Sequence, residues 1–228
     1  MRNFLIIIVA ASCCNLQAEI DESQTGAWYM YNYKFAFDET RWGLQGDFQY
    51  RDWEGLGDRE QLLLRSGVTY NPEGTKWLLT FGYANVSSGP PGDSDSITSE
   101  NRIYQEALFP QVVGGRFLFS HRFRYEERFI ENQDFRTRYR YNLMLNIPLN
   151  NATLMEKTFY LAMYNELFLN GQTDIGSSKS VKWFDRNRLY FGLGYVLTPK
   201  TRVQFGWMNQ ATDGADKGQL QFSVFQNL

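Results

Sequence analysis

Seven arginines share one alternating phase between positions 116 and 140: Arg116, Arg122, Arg124 and Arg128, then Arg136, Arg138 and Arg140. Glu126 stands among them. A guanidinium stays charged at any physiological pH and presents its donors as a rigid planar fork. Several of them facing one space make a site for anions, and rings of such cations select anions in pores. Arg65, Arg186, Arg188 and Arg202 fall in phases that can add to the set. The clearest acids of the same phase are Asp47, Glu126 and Glu166. One reading is therefore an electropositive passage for small anionic solutes, for example acidic oligosaccharides or carboxylates. The other is a packed salt-bridge network that seals a narrow interior. Buried arginines need partners, and these acids are too few for one-to-one pairing. Tyr160, Tyr164, Tyr190 and water are the remaining acceptors on that second reading.

The elements that must carry this ladder are long β-strands. Phe117, Phe119, His121, Phe123, Tyr125, Glu127 and Phe129 alternate with the first arginines. Phe135, Thr137, Tyr139, Tyr141, Leu143, Leu145 and Ile147 alternate with the second group. Period two over such a length predicts two strands joined by the polar break at 131–134. The same pattern recurs at 28–37, 41–51, 61–71, 76–85, 158–170, 185–197, 201–209 and 218–228. It is weaker over 101–109, where Pro110 is expected to end the strand. Eleven segments result. In a soluble barrel the aromatic face would be core. In an outer-membrane barrel it would meet lipid, with the arginines lining the lumen. Arginine dominates the strands, whereas Lys157, Lys179, Lys182, Lys200 and Lys217 fall in predicted loops or turns. A crowded polar interior favours arginine over lysine, so the membrane orientation is preferred.

Composition agrees. Aromatic residues make up 17% of the chain although its mean hydropathy is −0.45. A barrel whose strands face lipid with every second residue has both properties. Residues 1–18 read as a secretory leader, with Arg2, an apolar run over 4–11 and a small residue, Ala18, at the expected cut. Both cysteines, Cys13 and Cys14, lie in it, and Cys13 is an alternative lipidation site. Removing the leader takes away Arg2 alone, which moves the net charge from −2 to −3. That balance gives no reason to expect nucleic acid as a partner. Residues 19–228 then form one domain, expected in the bacterial outer membrane with lipid around it. Small anionic solutes and other outer-membrane proteins are the further candidate partners.

Other chemistry is thin. His121 is the only histidine and lies in the apolar phase. It would serve a lipid hydrolase only if a serine shared its face. Ser120 points the other way, which leaves Ser66 of another strand. The expectation is no enzyme. Asp93 and Asp95, within 86–100, resemble a calcium loop but lack the glycine and late glutamate that complete one. No cofactor or metal is expected.

Predicted connections alternate in length. Those at 38–40, 72–75, 110–115 and 198–200 are tight, whereas 52–59, 86–100, 171–184 and 211–217 are longer and rich in Gly, Ser and Asp. Short turns belong on the periplasmic side and long loops outside. The expected architecture is an all-β, transmembrane, antiparallel up-and-down barrel of 10–12 strands. Single-chain bacterial barrels have even strand numbers, so twelve is favoured over ten. With ten, segment 28–37 would cap or plug the barrel.

The stretches Asn101-Arg102-Ile103-Tyr104-Gln105, Ser120 to Phe129, Arg136 to Pro148, Phe159 to Asn170 and Asn187 to Tyr195 resemble the DUF2490 family of bacterial outer-membrane proteins. The likeness covers nearly all of 19–228. It implies an outer-membrane barrel and no known activity. The chain departs from the usual barrel ending in one respect: Leu228 stands where an aromatic residue is typical.

Overall fold

The computed structural model describes residues 24–92 and 94–228. The expected leader, Cys13 and Asp93 of the calcium-like loop lie outside the described residues. The chain forms eleven strands: β1 (Gly26–Ala36), β2 (Trp42–Asp52), β3 (Arg59–Tyr70), β4 (Leu78–Ser88), β5 (Thr98–Val113), β6 (Phe117–Ile130), β7 (Arg136–Pro148), β8 (Phe159–Asn170), β9 (Phe184–Thr198), β10 (Thr201–Thr212) and β11 (Asp216–Asn227). Each pairs antiparallel with its sequence neighbour, and β1 closes the barrel on β11.

The closure corrects the expected count. The barrel has eleven strands, neither ten nor twelve. Segment 28–37 is no plug: as β1 it pairs antiparallel with β2, from Ala27↔Asp52 to Ala36↔Gly43. It also pairs parallel with β11, from Gly26↔Gln219 to Lys34↔Asn227. A parallel ladder satisfies the two edges as fully as an antiparallel one, so an odd count closes without an unpaired strand. Two further readings change. β5 runs through Pro110 to Val113, three residues past the expected stop. Lys217 is buried within β11 over the ring of Trp53, 4.5 Å from its centroid, where a loop lysine was expected.

Alternation sorts the two faces as the sequence suggests, with the apolar side outward. Trp42, Phe81, Phe123, Tyr139 and Phe191 are exposed, Phe81 by 62%. Their chain neighbours turn inward and include buried polar residues: Thr80 beside Phe81, Arg124 beside Phe123, and Arg138 and Arg140 beside Tyr139. Large exposed apolar surfaces of this extent are unusual for a body bathed in water. One interior sector differs. Tyr160, Ala162, Tyr190, Val196, Met208 and Trp28 form an apolar cluster, and Leu154 of the 149–158 connection packs against it. Gly194 makes room for the Tyr160 ring, since a Cβ there would lie 2.1 Å from the Tyr160 Cζ. The rest of the interior is largely polar, with arginines and carboxylates among neutral groups such as Gln49, Asn142, Gln219 and Gln221.

Candidate functional site: an arginine-lined interior

Register brings the charges into rows around the wall. Arg102 of β5, Arg128 of β6 and Arg136 of β7 are direct cross-strand neighbours. The next row is Tyr104, Glu126, Arg138 and Asn170. Then come Glu106, Arg124, Arg140, Phe168 and Arg186, and after them Arg122, Asn142, Glu166, Arg188 and Gln210. Like charges directly opposite each other repel, so each such pair needs a bridging acid. Glu100 supplies one: its Oε1 accepts from Nε of both Arg102 and Arg128 at 2.6 Å. Glu126, 1% exposed, accepts from Arg138 Nη2 and Arg140 Nη1 at 2.6 Å each. Glu166 Oε1 accepts from Arg122 Nη2 at 2.8 Å and Arg140 Nη2 at 2.7 Å. Arg124 donates to Glu106 Oε2, 2.7 Å from its Nε. Arg65 Nε bonds Asp47 Oδ1 at 2.7 Å. Charge-assisted, forked bonds of this kind fix geometry as well as charge.

Aromatic rings supply the remaining support. Phe168 lies under four guanidiniums, with Arg140 4.4 Å and Arg188 4.7 Å from its centroid and Arg138 and Arg186 within 5.9 Å. Arg51 and Arg188 both sit over Trp28, at 3.7 and 4.7 Å. Desolvated guanidiniums are attracted to the ring faces. Trp28 Nε1 in turn donates to Glu60 Oε2 at 3.2 Å.

Two cavities open between these side chains among the described residues. One, of about 350 Å³, lies toward the end that carries the 131–135 and 171–183 connections. Ten arginines line it (Arg51, Arg65, Arg102, Arg122, Arg128, Arg136, Arg138, Arg140, Arg186 and Arg188) against two carboxylates, Glu100 and Glu166. The other, of about 540 Å³, lies toward the opposite end and includes Arg202, Lys34, Asp47, Glu106 and Arg124 in its wall. Asn32, Arg65, Arg122, Asn142, Met144 and Phe225 belong to both walls. The two cavities therefore border each other at mid-height, with Arg65 and Arg122 in the wall they share.

The structure brings Arg122, Arg124, Arg128, Arg136, Arg138, Arg140, Arg188, Glu126 and Glu166 together in this interior. Arg116 does not join them. It is exposed in the 114–116 turn, and its guanidinium bonds the carbonyls of Pro148 and Leu149 at 2.9 and 3.0 Å. Alternation holds only within a strand, and Arg116 precedes the first residue of β6. The sequence reading missed Glu100 and Glu106 on β5, Asp185 on β9, the cations Arg51 and Arg102, and the rings of Trp28 and Phe168. Glu100, Arg102, Tyr104 and Glu106 stand two apart in one phase, a signal that was present.

On the outer wall, His121 Nδ1 is 2.9 Å from Tyr141 Oη and its Nε2 is 3.1 Å from Gln111 Oε1. Ser66 bonds Tyr33 Oη at 2.8 Å. β3 is separated from β6 by β4 and β5, about 14 Å at the usual strand spacing. A Ser66–His121 pair does not form. Among the described residues no group of three His, Cys, Asp or Glu is placed to hold a metal.

The model of the family described as protein of unknown function, DUF2490, matches residues 25–221. An uncharacterised protein of Methylorubrum extorquens is 28% identical over 179 residues, 75% of each chain. No solved structure matches.

Proposed function

The chain belongs to the DUF2490 family, and we propose that it is an outer-membrane barrel whose arginine-lined lumen passes small anionic solutes. The observation that carries the passage is the excess of arginines around the 350 Å³ cavity: ten line it, against six carboxylates that stand in its wall or pair with those arginines. Arg65 and Arg122 stand in the wall that it shares with the second cavity, which Lys34, Arg124 and Arg202 also line, so an anion meets cations from either end. A wall of one charge sign in a low-dielectric shell raises the local concentration of the opposite ion. Membrane insertion is supported by the exposed apolar outer face and by strands of eleven to sixteen residues; about 9–11 suffice to cross a bilayer when tilted. The leader read at 1–18 supports export. Lipid is then the partner of the outer wall. His121 receives no catalytic role.

A second reading is a non-conducting accessory barrel within a larger outer-membrane assembly. It is favoured by the full burial of Tyr160, Tyr190 and Met208, which fill one side of the lumen. Swelling of proteoliposomes separates the two. The passage predicts entry of gluconate faster than of glucose, and of glucose faster than of glucosamine. A folded barrel, shown by its different gel mobility before and after boiling, that admits none of the three would leave the accessory reading and remove the passage.

A further inference from the structure

Seven of the ten arginines around the 350 Å³ cavity reach a carboxylate within 4 Å, through Asp47, Glu100, Glu106, Glu126, Glu166 and Asp185. Arg51, Arg136 and Arg188 have no such ion pair among the described residues. All three are more than nine-tenths buried, at 6, 8 and 6% exposure. They enter from separate strands, β2, β7 and β9. What holds two of them is neutral. Arg51 donates to Gln49 Oε1 at 2.6 Å and Gln61 Oε1 at 2.7 Å, and Arg188 to Gln210 Oε1 at 2.8 Å. The ring of Trp28 serves both. Glutamine oxygens and ring faces orient a guanidinium without cancelling its charge. Arg136 is less provided for: its Nε is buried with no acceptor.

Three buried and oriented cations around one cavity, each without a direct ion pair, are costly unless a further counter-charge joins them. We infer that this cavity binds a tetrahedral oxyanion of the phosphate-monoester class, held between Arg51, Arg136 and Arg188. A phosphate monoester carries close to two negative charges over three acceptor oxygens. It can therefore engage three guanidiniums at once, whereas a carboxylate offers one charge and two oxygens. The volume has room for about ten waters at some 30 Å³ each, so a phosphate with a small organic group attached fits. The inference rests on the anion-attracting lumen proposed above and names the solute class that lumen selects. Free phosphate and phosphorylated small solutes present the same group.

The test is calorimetric titration of the full refolded chain in detergent with inorganic phosphate, glucose 6-phosphate and glucose, at constant sodium chloride. Saturable binding of both phosphates and none of glucose is expected. Tighter binding of the sugar phosphate would identify the occupant as organic, and tighter or equal binding of phosphate would identify the free ion. Arg51→Gln, Arg136→Gln and Arg188→Gln should each weaken binding about tenfold, the loss of one charged hydrogen bond. Arg116→Gln at the rim should change nothing. If a Gln variant does not refold, Arg→Lys at the same position keeps the charge but loses the fork, and must also weaken binding. No saturable phosphate binding, or equal weakening by Arg116→Gln, overturns the site. Anion-selective current without phosphate binding would remove the site and keep the passage; binding without current would do the reverse.

Discussion

Glu126 bridges three arginines of the ladder, where Glu100, Glu106, Glu166 and Asp185 each bridge two. It faces Arg138 and Arg140 at 2.6 Å and Arg124 at 3.6 Å, with no access to water. Replacing the carboxylate by an amide leaves three buried cations short of a counter-charge. Glu126→Gln is expected to destabilise the folded barrel by about 3–5 kcal/mol, the usual result of breaking a buried pair from one side. Arg41→Gln removes an exposed pair with Glu73 and should cost less than about 1 kcal/mol. Urea unfolding of both variants in detergent checks the contrast, and equal midpoints would mean that the network contributes nothing to stability. The cationic half of this site was legible, because Arg122 to Arg140 keep a strict phase. Much of the anionic half was not. Glu100 and Glu106 were lost with β5, whose pattern is weak near Pro110, although its phase held the signal.

At the scale of elements, irregularities carry what alternation cannot. The β8–β9 ladder shifts register between Phe168 and Leu169, so that Leu169 opposes Phe184 and Asp185 becomes the extra residue. Asp185 then reaches Arg138 Nη1 at 2.9 Å, although its phase matches the outward Leu189. The β2–β3 ladder does the same at Arg51/Asp52, and there Glu60 turns to the Trp28 indole. A β-bulge re-aims the side chains beside it, and no two-residue periodicity reveals its position. Closure was equally hidden, because an alternating strand does not say whether its last partner runs parallel or antiparallel. Cysteines at Tyr31 and Val224, register partners across the β1–β11 seam, test it. In a Cys13→Ser/Cys14→Ser background, Tyr31→Cys with Val224→Cys should crosslink under mild oxidation and leave a folded barrel. A pair that forms only after unfolding would return β1 to the position of a plug.

On the scale of the whole molecule, net charge and local charge point in opposite directions. The chain is slightly acidic, at −2, yet its interior surface is strongly cationic. The average was readable at once, but the separation needed the fold, which turns one phase of β5, β6, β7 and β9 into a common wall. The aromatic fraction told of the outer face for the same reason: the barrel turns the apolar phase of its strands outward. What the sequence did not contain is the partition of the interior into an aromatic sector and an arginine sector, which follows from the side chains that β8, β9 and β10 bring against Trp28 of β1.

The passage itself is most directly tested by planar-bilayer recording, with the reversal potential measured across a potassium chloride gradient. The expected current prefers chloride over potassium and loses that preference when Arg65 and Arg122, in the wall that the two cavities share, become Gln. A cation-selective current, or a folded barrel that conducts nothing, would contradict it.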